Sequence, residues 1–571
     1  MSSVIVCPLS WKSFTVSPEE IALLDKISPI IGGEKFPLPL PTLAPELRER
    51  MRYMFRNTKT LFHAQDALTG EKTISRIAPE FGYTIYTNAN RSSDKRDSTS
   101  YGIDYNTDVW WSIRRLVQTT PYQDLIWSLS NVANNSVYTN CTADVNNCYM
   151  VFDAHDVNNS CYVTRGSNSE SLVDCYRCQK SQYCYECVTS QRLSNCCFCM
   201  DCDNSSHLYR CRGCIGCHDC IGCLGLENQS YCIMNTQYTK EEYTAFVEKL
   251  RQSSFALPQD IADFIASYER NTAPINCEQS QGESLVNCKR VTQSKDCLDA
   301  EDCIYCREMT EAQDCLDVTS YGHQSSLMYH STQVGRYSNH IYASSTVGKS
   351  EHLYYCLEVK KSRYCFGCVN MRDVEYCIFN KQYSKEEWLT LVPALIKQMM
   401  STNPPSRTHS GHLPYQGGQV RWAFFPPECS PYAYNDSDAE RFYPIRDVIA
   451  QDGTVLHHNA QGTGTIRLTT NEWNLLSGNL SLGTDQTISV KRRLGVNTVN
   501  IPANAQTRDR KIQLGKPSDD MVTKFVYLCR ETGKPYRVTP LEYEFYSKMW
   551  LPLPQLHPDV RFERRYAQIA Q

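Results

Sequence analysis

No stretch of this 571-residue chain offers about 18 consecutive apolar residues, which leaves out a membrane-spanning helix. The amino terminus, Met-Ser-Ser-Val-Ile-Val-Cys-Pro, has no basic segment followed by a long apolar one, so a chain without an export signal is expected. Charge of one sign is equally scarce. Lys and Arg number 58 against 62 Asp and Glu, a formal net charge of −4, so any binding to nucleic acid or to an anionic membrane must come from a local patch. Also missing are a phosphate loop, a zincin helix and a nucleophile elbow. The chain is therefore read as non-enzymatic, with a carbohydrate-active β-helix cleft left open because paired carboxylates leave no sequence signature among so many acids.

Cysteine, by contrast, is abundant: there are 30, and 27 of them fall between Cys141 and Cys377. A chain of this length can bury roughly three to four hydrophobic cores, so size does not force disulfide stapling. Together with the amino terminus, this points to a reduced, cytoplasmic protein; export by a route without an N-terminal mark would turn the same cysteines into staples.

The cysteines are periodic. Positions 178, 187, 196, 214, 223 and 232 lie on a nine-residue grid whose gap is Ser205. A second grid, offset by three, holds 175, 184, 202, 211 and 220 with Leu193 in its gap, and a third series runs 288, 297, 306, 315. A longer repeat overlies these. His207-Leu-Tyr-Arg-Cys211, Cys220-Ile-Gly-Cys223 and Tyr231-Cys-Ile-Met-Asn235 recur 145 residues on as His352-Leu-Tyr-Tyr-Cys356, Cys365-Phe-Gly-Cys368 and Tyr376-Cys-Ile-Phe-Asn380. Each copy runs into a capping box, Thr239 with Glu242 and Ser384 with Glu387.

Short strands separated by Asn, Ser, Asp and Gly cannot bury a face alone, whereas stacked coils bury a continuous inner row. The fold expected is therefore mainly β, with two cysteine-rich parallel β-solenoid modules, each capped by a helix. Two nine-residue units, roughly 18 residues, are expected per coil. Inward thiols fill such a core as Val or Ala would. Zinc in the solenoid is the alternative, because ten Cys-x-x-Cys pairs occur. Its candidate ligands are Cys211, Cys214, Cys217, Cys220 and Cys223, with His218 nearby and Gly213 and Gly216 to bend the chain.

The two ends resemble each other. Cys7, Phe14-Thr-Val-Ser-Pro18 and the Pro-rich segment from Leu38 to Arg48 match Cys529, Tyr536-Arg-Val-Thr-Pro540 and the segment from Leu551 to Arg561, and Asp66-Ala-Leu-Thr-Gly70 echoes Cys529-Arg-Glu-Thr-Gly533. With Tyr101-Gly-Ile-Asp-Tyr105, Pro431-Tyr-Ala-Tyr-Asn435 and the Cys-x-x-Cys solenoids, the chain resembles the cysteine-rich, zinc-ribbon-containing proteins of Candidate Phyla Radiation bacteria over nearly its whole length. That resemblance implies small α+β zinc-ribbon-like terminal modules and no activity. The ribbon positions here hold Cys7, Ser10, Ala44 and Leu47 at the front and Cys529, Thr532, His557 and Val560 at the back, too few ligands for a tetrahedral site. Terminal modules without zinc follow, and no cofactor is expected elsewhere apart from the zinc alternative.

The modules read as residues 1–125 (degenerate ribbon-like module and helix), 126–255 and 256–400 (the solenoids with their helices), 401–520 (linker and β-rich insertion, including Thr463–Leu468 and Thr487–Lys491) and 521–571 (second ribbon-like module). Arg48, Arg50, Arg52 and Arg56, and Arg561, Arg564 and Arg565, are the candidate contacts for RNA, a ribosome or another partner. The opposing reading is an amphipathic helix whose arginines cover its apolar face. A non-catalytic scaffold with a protein partner or self-association is the function favoured, because stacked solenoids present long faces and 36 tyrosines supply contact residues. No membrane insertion is expected.

Overall fold

The computed structural model describes residues 2–91, 102–103, 108–126, 135–177, 180–189, 192–252, 257–270, 272–399, 422–443, 447–449, 455–457, 522–523, 525–549 and 551–570. They fall into two units, Met1–Asp124 with Thr272–Leu494, and Leu125–Asn271 with Gly495–Gln571. Each unit contains a parallel β-solenoid and a small α+β terminal module. The segments Thr463–Leu468 and Thr487–Lys491, most of Tyr101–Tyr105, and Cys178 lie outside the described residues. No described helix is long and apolar enough to cross a membrane.

The coil is twelve residues, which corrects the expected ~18. His155 pairs with Ala143 on one side and Ser167 on the other, and Leu172 pairs with Cys184. In the other unit Asn339, Glu351, Arg363 and Glu375 follow one another up the ladder at the same step. The backbone shows why. Every third residue is left-handed, as at Asn147, Met150, Asp153, Asp156 and Asn159, with φ between 50° and 56°. Four triplets with one such turn each close a coil. Asn and Asp tolerate this region; Tyr and Arg occupy it at a cost of about 1–2 kcal/mol each, offset by the ladder bonds it permits. Glycine takes the same place at Gly213 and Gly216, which are ordinary turns of the coil and not bends that gather ligands.

Within a triplet, two N–H groups join neighbouring coils: Tyr149 N donates to Ser160 O and Met150 N to Val137 O. The third belongs to the inward residue and faces the interior, where it needs an acceptor. Ser136 Oγ accepts from Cys148 N, Ser160 Oγ from Leu172 N and Ser205 Oγ from Cys217 N, each at 3.0 Å. A thiol does likewise: Cys148, Cys199 and Cys297 accept from the N–H of Ser160, Cys211 and Met309. The same thiols also donate, Cys148 Sγ to Val157 O at 3.3 Å and Cys199 Sγ to Leu208 O at 3.6 Å. Cysteine is thus more than a substitute for Val or Ala. It fills a narrow tube as they would and also serves the inward amide. Both nine-residue grids belong to this one inward register, because inward positions recur every three residues.

Each solenoid ends in an antiparallel pair, Ser230–Ile233 with Thr236–Gln237 and Glu375–Ile378 with Lys381–Gln382. The expected helices follow, Lys240–Gln252 and Lys385–Met399, and both capping boxes form. Trp388 on the second helix lies against Tyr354, Tyr364 and Tyr376, which belong to successive coils. That helix therefore runs back along the flank, while the short antiparallel strand closes the open sheet edge.

Candidate functional site

Three groups of residues carry chemistry: the thiol rows, the arginines of the terminal modules, and the turns where the resemblance would place zinc.

Cys211, Cys214, Cys217, Cys220 and Cys223 are all fully buried at successive inward positions. Their sulfurs form a row of neighbours: Cys214 lies beside Cys202 and Cys211, and Cys223 beside Cys211 and Cys220. Among the described residues, no three of these sulfurs lie within 4.8 Å of one another. A tetrahedral zinc site needs four ligands converging on one point, which a ladder spread over four sides does not offer. His218 points outward instead, exposed, with Nδ1 2.8 Å from Ser206 Oγ. Burial pushes the Cys161, Cys197, Cys297 and Cys306 thiols up, and Cys148 up to about 11. Those five are held as neutral thiols, whereas hydrogen bonds from neighbouring thiols pull Cys214 (from Cys202 and Cys211) and Cys223 (from Cys211 and Cys220) down. Every described cysteine is a free thiol.

The arginines were expected at a surface, and the structure corrects this for all but one. Arg48, Arg50, Arg52 and Arg56 are no more than 3 % exposed, as are Arg561 and Arg565. Arg48 Nε lies 2.7 Å from Asp317 Oδ2 and Arg52 Nη1 3.2 Å from Asp317 Oδ1, so two guanidiniums share one carboxylate. Arg56 pairs with Glu308 and Asp438, Arg50 donates to Tyr434 Oη, and Arg76 reaches Glu358 at 2.6 Å and Tyr432. These contacts account for the buried tyrosines of the Pro431–Asn435 motif. The other unit repeats the device: Arg561 and Arg565 share Asp174, and Arg561 also meets Glu542 at 3.1 Å. Arg564 alone is exposed, paired with Glu531.

Asp317, Glu308, Glu358 and Asp174 all occupy left-handed positions of a coil, the outward corner of a triplet. Helix Pro45–Tyr53 continues into a turn through Arg56, so Arg48, Arg52 and Arg56 form an i, i+4, i+8 stripe laid against those corners. Arg561 and Arg565 form the same stripe on helix Pro558–Ala570. That spacing, with Met51 and Phe55 buried beside it, was the available signal that the stripe faces protein.

Three turns share one hydrogen-bond pattern. Cys7 N donates to Lys12 O and Trp11 N to Cys7 O; Asp66 N to Glu71 O and Gly70 N to Asp66 O; Cys529 N to Lys534 O and Gly533 N to Cys529 O. Such a turn aims amides at its first side chain. Cys7 Sγ accepts from Ser10 N at 3.4 Å. Asp66 accepts from the amides of Leu68, Thr69 and Thr87 and from Asn90 Nδ2, at 2.7–3.0 Å. Against the opposing effect of burial, those donors hold its carboxyl well below the usual range. A carboxylate thus serves the amides that the resemblance would assign to a metal-bound thiolate.

Compared with known proteins, the chain matches no family model and no curated sequence. The likeness to the cysteine-rich bacterial family accordingly rests on its motifs alone.

Proposed function

We propose that this chain is a non-catalytic scaffold or assembly protein whose solenoid flanks are docking rails. One observation carries the reading: in each unit a solenoid already binds a folded module along its flank. It does so through outward acidic corners that grip a stripe of arginines, Asp317 with Arg48 and Arg52 in one unit and Asp174 with Arg561 and Arg565 in the other. The repeat presents a left-handed corner at every third residue of each coil, so its flanks offer further positions from which side chains can contact a partner. The competing reading, RNA or ribosome binding through the basic runs, loses support because those guanidiniums face protein. Zinc storage loses support because, among the described residues, no three thiols converge on one point.

The test is light scattering and cross-linking mass spectrometry on the purified chain. Concentration-dependent species above the 65.4 kDa monomer, cross-linked through outward solenoid residues, are expected. A strict monomer that instead binds RNA with a steep salt dependence would overturn the reading.

A further inference from the structure

Outside the thiol rows and the clasps, one ladder position differs in kind from its neighbours. In the unit containing Thr272–Leu494, His340 and His352 stand opposite each other on strands Asn339–Tyr342 and Glu351–Tyr354, which pair in parallel with Asn339 against Glu351. Their rings stack at 4.3 Å and 26°. Tyr364 covers the other face of His352 at 4.7 Å and 10°, Tyr376 covers Tyr364 at 5.0 Å and 8°, and Trp388 closes the stack edge-on. The column is therefore braced, and its upper end carries two imidazoles where its lower end carries phenols.

Glu351 precedes His352, with Oε1 3.7 Å from His352 Nε2. One ligand atom from each of His340, Glu351 and His352 lies within 4.8 Å of the other two, and among the described residues no other set of three or more His, Cys, Asp and Glu side chains does so. Asn339 Oδ1 sits 2.8 Å from His340 Nδ1. In the tautomer in which Nδ1 donates to that oxygen, Nε2 keeps its lone pair for a ligand bond, the arrangement in which an outer partner orients a metal-binding histidine. All three side chains are partly buried, so they are both held and reachable.

We propose that His340, His352 and Glu351 form a three-ligand site for a divalent transition cation on the outer face of this solenoid. Two imidazole nitrogens and a carboxylate oxygen suit zinc, nickel or cobalt, with distances of about 2.0–2.2 Å within reach of small side-chain rotations. The fourth position stays open to water or to a ligand from outside, so a metal here would be an exposed coordination point on the rail. The site is independent of the thiol rows, whose sulfurs lie inside the tube, and it goes beyond the scaffold reading without depending on it.

Cobalt(II) is the probe that separates the two sets of donors, because thiolate ligands give an intense sulfur-to-metal charge-transfer band that nitrogen and oxygen ligands lack. Titrated into the reduced full chain, it is expected to bind once, with weak visible bands and no charge-transfer band. Binding is lost in the double variant His340→Gln, His352→Gln, and also in Glu351→Gln, whose half-exposed side chain keeps the fold safe; far-UV circular dichroism checks that both variants are folded. Asn339→Ala, which removes only the orienting partner, weakens binding by about 10–100-fold. No binding by the parent chain, parent-level binding by Glu351→Gln or by the double variant, or a charge-transfer band on the bound metal would each overturn the proposal.

Discussion

The two solenoids share one coil and fill it differently. Between Val145 and Cys232 the interior is dominated by thiols, and the step between coils stays at twelve. Between Leu285 and Cys377 aliphatic residues and Met309 and Met328 intervene, Ser325, Ser338, Ser350 and Ser362 form an unbroken column, and the step rises to thirteen at Cys315–Met328 and Met328–Ile341. What survives these changes is the left-handed corner every third residue, with Ser and Cys in both solenoids serving inward amides at part of the positions. The corner turns and the ladder bonds between coils are thus what the two solenoids share, while the inward side chain is chosen by volume and, where it is Ser or Cys, also serves an amide.

The sharpest way to break the comparison is at the clasps. Asp174→Asn removes the charge facing Arg561 and Arg565 in one unit, and Asp317→Asn does the same to Arg48 and Arg52 in the other. Each leaves a buried cation without its counter-charge, which costs about 3–5 kcal/mol. Hydrogen exchange should show helix Pro558–Ala570 losing protection in the first variant and helix Pro45–Tyr53 in the second. Unchanged protection of either helix would mean that its arginines are held by apolar packing instead.

A smaller effect separates the two accounts of the thiol. If cysteine is in the tube only for its volume, Cys199→Ala and Cys199→Ser should be about equally costly. If it serves the Cys211 amide, Ser is tolerated, as Ser160 and Ser205 are, whereas Ala leaves that amide bare at a cost of about 1–3 kcal/mol beyond the lost volume. In the serine column the counterpart is Ser350→Ala, which strips the Ser362 amide, against Ser350→Cys, which keeps it served. Urea unfolding of the four variants decides between the accounts.

The architecture was legible in the sequence because its signal is repetition. The cysteine grids, the 145-residue recurrence and the paired capping boxes all correspond to observed elements. The coil length was not legible from the cysteines alone. Cys211, Cys214, Cys217, Cys220 and Cys223 show an inward step of three, but a step of three fits a coil of nine, twelve or eighteen residues alike, and only the ladder partners, twelve residues apart, set the number of triplets. The arginine clasps were only half legible: the stripe's spacing signals that it faces protein, but the solenoid carboxylates it meets, Asp317 and Asp174, are 250 or more residues away and nothing in the sequence points to them. His340 and His352 escaped because they are neighbours only once the step of twelve is known.

Burial pushes a helix-start carboxyl up in both terminal modules, Glu542 in one and Glu20 in the other. Glu20, almost fully buried beside Arg48, Tyr305 and Asp317, has its carboxyl pushed up to about 7, chiefly by burial. A carboxyl whose folded pKa exceeds its unfolded value holds its proton more tightly when folded, so stability falls as pH rises from about 4.5 through about 7. Glu20→Gln should therefore stabilise the chain at pH above 7, by on the order of 2–3 kcal/mol before relaxation, and give no gain near pH 4. Thermal melts across that window test it. A gain that persists at low pH would assign the effect to shape and not to charge.

The mildest comparison lies at the starts of two matching helices. Ser17 Oγ accepts from Glu20 N at 3.2 Å, while the Glu20 carboxylate is engaged elsewhere by Tyr305 Oη. Thr539 Oγ1 accepts from Glu542 N, and the Glu542 carboxylate also reaches back to Thr539 N at 3.3 Å, completing a capping box that Ser17 lacks. Ser17→Ala removes one hydrogen bond and should cost about 1 kcal/mol. Thr539→Ala removes one and loosens a second, and it frees a carboxylate that Arg561 also uses, so its cost should lie nearer the upper end of about 0.5–2 kcal/mol. If Thr539→Ala proves no more costly than Ser17→Ala in urea unfolding, then Glu542 is fixed by Arg561 and Tyr546 alone, and the reciprocal half of the box adds nothing to its placement.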